Sequence, residues 1–329
     1  MFGTDREQKI AELIEQTVKE QLAESNPDLD VKLTNVTKNN GVELTAIAAG
    51  RDGVLANLYI DKDVQAVIDG QANIDEAAAV IARTLAHEAE KIPTAFRADS
   101  LSNEFSSPDT SCIQIKLINR EANAAMLAGM PHRDICGDLS IVALYRIGEE
   151  ASVRITNDLC ARMGMTGTEV IGCAVQNMKN EGYAVKSMVE MMADSMDISE
   201  EQAKVLFGDM DGLYEVTNAD KHFGAAGIYL DKDLKQEVAD RIDGDFYILP
   251  ASIHMCICIP ADSMTPRQAA EMIKEVNENE VEAQEVLAAH PYLVDAQTLR
   301  ITIPCEEREE LVADEPRQTA RVCMGACIG

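Results

Sequence analysis

The sequence predicts an α+β protein: mixed, largely antiparallel sheet with packed helices. Three observations carry that reading. Helix starts are marked by capping boxes followed by 3.6-residue apolar periodicity. Between the helices lie short runs rich in β-branched residues and bounded by turn signals. Those runs read as antiparallel and interleave with the helices, which argues for α+β rather than a doubly wound sheet, and no Gly-rich phosphate loop follows any of them.

The elements follow in chain order. Thr4-Asp5-Arg6-Glu7 is a capping box, and behind it Ile10, Leu13, Ile14, Val18 and Leu22 form one apolar stripe. Val31–Thr37 and Val42–Ala48 read as strands joined by Lys38-Asn39-Asn40-Gly41, whose Asn-Gly is a hairpin-turn signal. A strand at Val54–Ile60 precedes a helix opened by Asn73-Ile74-Asp75-Glu76. Further strands are expected at Cys112–Ile118, Leu139–Ile147, Ser152–Ile155, Tyr214–Thr217, Ala226–Leu230, Phe246–Leu249, Ile253–Ile259 and Leu299–Ile303. Helices open at Thr166-Gly167-Thr168-Glu169 and at Thr265-Pro266-Arg267-Gln268, the latter with Pro at the first helical position.

The organisation reads as an N-terminal α/β half over 1–100, a C-terminal half over 110–303 packed on the first, and a charged, disordered tail over 304–329. The polar, Ser-rich stretch 98–109 and the weakly patterned, Met-bearing stretch 179–199 both suit a boundary. One internal echo, Tyr59-Ile60-Asp61-Lys62-Asp63-Val64 against Tyr229-Leu230-Asp231-Lys232-Asp233-Leu234, is open to two readings. It marks two related α/β halves or only a recurrent strand-to-helix cap using Asp, and its shortness favours the cap.

Charge narrows the function classes. Against 57 Asp and Glu stand 29 Lys and Arg, a formal charge of −28. A field of that sign repels nucleic-acid phosphate and anionic lipid, so direct nucleic-acid binding is not expected. The start, Met1 to Glu7, has neither the basic nor the apolar region of an export signal, and no run of apolar residues is long enough to span a membrane. A cytoplasmic protein is expected. Nine cysteines without a C-x-x-C pair then read as free thiols in a reducing compartment.

Several local patterns bear chemistry. His87-Glu88 begins like a zinc-protease signature, but the second His would fall at Lys91, so the two-imidazole face is missing. His254, Cys256 and Cys258 alternate along one expected strand and would share a face, as metal ligands can. The apolar Ile253, Met255, Ile257 and Ile259 between them favour a buried strand, and no metal is assigned. Pro131-His132-Arg133-Asp134-Ile135-Cys136-Gly137-Asp138 offers a Cys–His nucleophile and base beside an Arg, or simply a polar turn. Ser252, His254 and Thr217-Asn218 fall at strand ends, where polar pockets form.

Several segments recur in order: Val36 to Val42, Leu117-Ile118-Asn119, Pro131-His132-Arg133 with Asp138-Leu139, Leu213-Tyr214 with Thr217-Asn218, Gly224-Ala225, Tyr247 to His254, and Glu275-Val276-Asn277. Over about residues 1 to 303 they make the chain resemble an uncharacterised bacterial family of domains of unknown function, found in anaerobic Gram-positive bacteria. The resemblance implies a fold grouping and no established activity. The family pattern carries an acidic residue after the His where this chain has Met255.

The leading expectation is a binding or regulatory protein without a cofactor, with an unknown protein or small-molecule ligand as partner. Its candidate site comprises Lys38, Asn39, Asn40, His132, Arg133, Asp138, Asn218, Ser252 and His254. The alternatives are a hydrolase or transferase using His132 or His254, and an acidic decoy that imitates nucleic acid. Dispersed carboxylates favour plain solubility over the decoy. One expectation is directly countable: thiol titration after anaerobic denaturation should find nine reactive groups, and fewer would show a disulfide.

Overall fold

The computed structural model describes residues 4–51, 54–91, 105–147, 151–207 and 212–304. The expected tail, from residue 305 onward, lies outside the described residues. The chain divides into two compact units, Met1–Pro108 and Asp109–Gly329. The fold class is α+β, built from antiparallel sheets and packed helices.

The first unit is a three-stranded sheet with helices packed on it. Helix α1 (Asp5–Ser25) starts at the expected box: the Thr4 hydroxyl accepts from Glu7 N–H, and the Glu7 carboxylate accepts from Thr4 N–H. Strands β1 (Asp30–Thr37), β2 (Glu43–Arg51) and β3 (Val54–Tyr59) form an antiparallel meander in which Val31 faces Ala49 and Ile47 faces Leu58. The Asn-Gly signal gives the hairpin by its own means, since Asn40 and Gly41 both take left-handed backbone (φ 61° and 68°). Helices α2 (Asp61–Ile68) and α3 (Ile74–Lys91) follow, and Ile14, Val18, Ile47, Val64, Ile81 and Leu85 lie in the core.

In the second unit, β4 (Ile113–Asn119), a one-turn α4 (Ala124–Leu127), β5 (His132–Asp134), β6 (Leu139–Ile147) and β7 (Ala151–Arg154) build one antiparallel sheet. Strand β6 is central, pairing β4 along one edge and β5 then β7 along the other, which is why LSIVALYRI is buried almost throughout. Helices α5 (Asn157–Arg162) and α6 (Gly167–Met178) follow, each capped by a threonine. The remainder is β8 (Tyr183–Ser187), α7 (Met188–Met196), α8 (Glu200–Phe207), β9 (Tyr214–Asn218), α9 (Ala226–Leu230), α10 (Lys232–Ile242), β10 (Phe246–Leu249), β11 (Cys256–Pro260), α11 (Pro266–Asn279), β12 (Tyr292–Val294) and β13 (Ile301–Thr302). Its six strands order as β13-β12-β10-β11-β9-β8, all antiparallel.

Three sequence expectations need correction. Ala226–Leu230 is a helix, not a strand: Ala226, Gly227, Ile228 and Tyr229 are all buried, and a short run buried on every side carries no period to separate the two. The echo consequently differs in its two copies. Asp61 follows a strand and accepts from Thr45 N–H across the sheet, whereas Asp231 follows a helix and caps α10. The strand expected from Ile253 begins only at Cys256, because residues 250–255 make a bend that carries Ser252 and His254. Strands β5, β8 and β12 were not legible, being three to five residues long.

Gly224 locks that bend against the end of β9. A Cβ there would sit 2.6 Å from Asn218 N and Thr217 Oγ1, and 2.8 Å from His254 O. Gly224→Ala should therefore cost about 1–3 kcal/mol in urea unfolding through overpacking. An unchanged midpoint would mean that the 218–225 loop shifts freely.

Candidate functional site

The expected site residues distribute over both units. Lys38, Asn39 and Asn40 belong to the first unit, where the Lys38 ammonium lies 4.3 Å from the centroid of Tyr59 and Asn39 is buried in the hairpin turn. The other six belong to the second unit, where they fall into three groups.

The first is the His254 corner. The Ser252 hydroxyl accepts from His254 N–H at 3.0 Å, so it serves the bend and makes no bond to the imidazole. Phe223 N–H donates to His254 Nδ1 at 3.2 Å, which puts the proton of the neutral ring on Nε2. That nitrogen lies 3.5 Å from Glu285 Oε1. The acid partner of His254 therefore comes from a distant loop, not from the neighbouring position held by Met255. Phe223 stacks on His254 with centroids 5.5 Å apart and planes at 12°, and the His222 ring is 5.2 Å away. Lys116 Nζ sits 5.0 Å from the Phe223 centroid.

Asn218 builds the wall of this corner. Its side-chain amide donates to Glu181 at 2.9 Å and to His222 O at 2.8 Å, while its carbonyl oxygen accepts from His222 N–H at 3.0 Å. Thr217 Oγ1 donates to His254 O at 3.0 Å. These bonds hold Lys221 and Phe223 in left-handed backbone, φ 49° and 56°, which non-glycine residues adopt only when the surroundings impose it. The His222 side chain reaches solvent, yet desolvation of its ring by the packed corner, reinforced by His254 and Lys116, lowers its pKa from the ordinary value and favours the neutral form. Burial also raises the Glu181 carboxyl, against the opposing Asn218 hydrogen bond.

The second group surrounds Asp138 in the tight turn between β5 and β6. Its carboxylate accepts from Tyr292 OH at 2.6 Å and Asn119 Nδ2 at 2.9 Å, and lies 3.3 Å from His290 Nε2. His290 Nδ1 meets the Pro291 carbonyl at 3.2 Å. Burial alone would raise the Asp138 pKa, but the bonds from His290 and Tyr292 outweigh it and hold the carboxyl below its ordinary value. The same contact raises His290, overcoming the burial that would lower it.

The third group is the β5 edge. His132 and Arg133 are exposed, and His132 Nδ1 lies 3.0 Å from Met130 O. Cys136 is buried with Tyr229 and Tyr292 nearby, so the turn sends the thiol inward while the imidazole faces solvent. Cys256 and Cys258 are buried as well, and burial pushes the Cys256 thiol up to about 12 and Cys258 well above its usual range. With His254 tied to Phe223 ahead of the strand, the alternating His-Cys-Cys face does not exist. Among the described residues no group of three His, Cys, Asp or Glu could hold a metal ion.

His222, Phe223, Glu285, His290 and Tyr292 join these groups without having been marked by any sequence pattern. His222-Phe223 follow directly on Thr217-Asn218 and precede Gly224, so extending the strand-end argument by one loop would have reached them. Glu285 and His290 lie in a segment without periodicity, where nothing local signals a site.

The described chain is thus an α+β protein with a paired-imidazole corner and a half-buried carboxylate hub. It belongs to the family of unknown function DUF5688, whose model matches residues 8–295. No curated protein matches the chain, and no solved structure does. No helix among the described residues is long and apolar enough to cross a membrane.

The Asp138–His290 pair makes stability depend on pH. Asp138, lowered from 3.8, stabilises above that value and loses its contribution as pH falls through its folded pKa. His290, raised from 6.5, stabilises fully below that value and loses its contribution as pH rises through its folded pKa. Stability from the pair should therefore peak between the two. Asp138→Asn should cost about 1.5–3 kcal/mol within that window and flatten the profile of melting temperature against pH. A parallel, merely shifted profile would show that the pair is not responsible.

Proposed function

We propose that this is a cytosolic binding or regulatory protein that works without a cofactor and takes a small polar ligand at the His222–His254 corner. The observation that carries the reading is that both ring nitrogens of His254 are engaged by the protein: Nδ1 by Phe223 N–H, Nε2 toward Glu285. A general base needs a lone pair aimed at its substrate. Here the lone pair is spent on the backbone, and Ser252, the nearest hydroxyl in the bend, is turned to His254 N–H. What the corner offers is recognition: neutral His222 can both donate and accept, Glu285 accepts, and the stacked Phe223 and His254 rings give a rigid wall. His132, with Nδ1 at the Met130 carbonyl and Cys136 turned inward, likewise lacks the arrangement of a nucleophile and base. The net charge of −28 suits ordinary solubility and disfavours direct contact with nucleic acid.

The test is a thermal-shift panel of amino acids, dicarboxylates, nucleotides and sugar phosphates, with each mixture then assayed by mass spectrometry for turnover. A ligand present at a hundred times its Kd should stabilise by about 2.7 kcal/mol. That shift should disappear in His222→Ala and His254→Asn, with every compound recovered unchanged. Turnover of a panel compound that is lost in His254→Asn would replace the binding reading with the hydrolase or transferase one. A flat panel would remove the corner as a ligand site.

A further inference from the structure

We propose that His290 is a positioning residue for the His254 corner, acting through the connector between α11 and β12 that also carries Glu285. The inference rests on the reading of that corner as the ligand site, and it adds a pH-dependent control to it. The connector is held at a few defined points. Ile253 N–H donates to Glu285 O at 2.9 Å, which joins the connector to the bend just before His254. Asn119 Nδ2 lies 3.3 Å from Leu287 O, and Asn277 Nδ2 donates to Ala288 O at 2.9 Å. The last point is His290, between the Pro291 carbonyl and the Asp138 carboxylate.

Those two partners can only accept. A neutral imidazole has one N–H and can satisfy one of them, whereas the imidazolium has two and satisfies both. The geometry therefore selects the protonated ring. When His290 loses a proton it has one N–H for two acceptors, so either the Pro291 or the Asp138 contact must go and the charge that answers the Asp138 carboxylate is lost in both cases. Asn119 binds both Asp138 and Leu287 O, so a change at the carboxylate passes directly to the chain two residues beyond Glu285. Glu285 is the group that faces His254 Nε2.

Among the described residues, the groups facing His290 come from two elements. Asp138 approaches from the turn before β6, and Tyr292, its ring centroid 4.8 Å away, from β12. Behind Tyr292 stand Tyr229, Cys136 and Cys256. Burial keeps Tyr292, Tyr229 and Cys256 protonated across the neutral range, so Asp138 supplies the negative charge that His290 answers.

The test needs no ligand, so it succeeds or fails independently of the binding panel. Long-range nitrogen–proton NMR of the histidine rings in the full chain is followed from about pH 5 to 9, the range in which imidazoles titrate. The five histidines are assigned by single substitutions. The His254 signals should show an inflection at the midpoint where His290 itself titrates. His290→Gln should abolish that inflection, and Asp138→Asn should move it to lower pH together with the His290 midpoint. A purely structural His290 would leave the His254 signals unmoved through its own titration, and that result overturns the proposal. Persistence of the inflection in His290→Gln overturns it equally. Should His290→Gln fail to fold, the paired shift in Asp138→Asn decides.

Discussion

The Asp138 carboxylate is the contact on which the second unit depends. It sits in a turn of the smaller sheet, yet its bonds reach Asn119 at the end of β4, Tyr292 in the larger sheet and His290 beside it. A carboxylate is suited to this place because it accepts from several directions at once, and its donors come from two remote stretches, Asn119 on one side and His290 with Tyr292 on the other. Neighbouring backbone bonds reinforce it, since Asp138 O accepts from Arg120 N–H at 2.7 Å. The carboxylate is half-buried, and its charge is answered at close range by these donors.

The regular parts of this fold were legible because they repeat a local rule. Capping boxes at Thr4, Thr166 and Thr265 each begin a helix where the residue types require it. The β1–β2 hairpin follows from an Asn-Gly pair that tolerates left-handed backbone. What escaped was decided by long-range contact. The short run 226–230, buried but for Leu230, is α9, and in it Gly227 passes so close to the Tyr183 ring that a Cβ would fall 2.1 Å from a ring carbon. Strand β5 consists of three exposed polar residues and exists only because β6 offers a free edge.

The candidate site was legible in half. Asn218, Ser252 and His254 were reachable from strand ends, and the structure brings them together at one corner. Ser252 and Asn218 serve there as scaffolding, satisfying backbone groups of the bend and the loop. Asp138 was placed in a polar turn, but its true partners, Tyr292 and His290, lie 154 and 152 positions further along the chain, beyond any motif. An imidazole paired with a carboxylate from a remote loop leaves no trace in spacing. For that reason the departure at Met255 says little about whether His254 has an acid partner.

The burial of Cys256 and Cys258 has a consequence for the protein's life under oxidants. Peroxide and disulfides attack the thiolate, and a thiol pushed up to about 12 holds a thiolate fraction on the order of one in a hundred thousand at pH 7. These core sulfurs are thereby withdrawn from redox traffic although they are chemically intact. Among the described cysteines, Cys112 and Cys173 alone are only half-buried. Oxidative damage to the described fold should begin at those two, leaving the larger sheet to fail last.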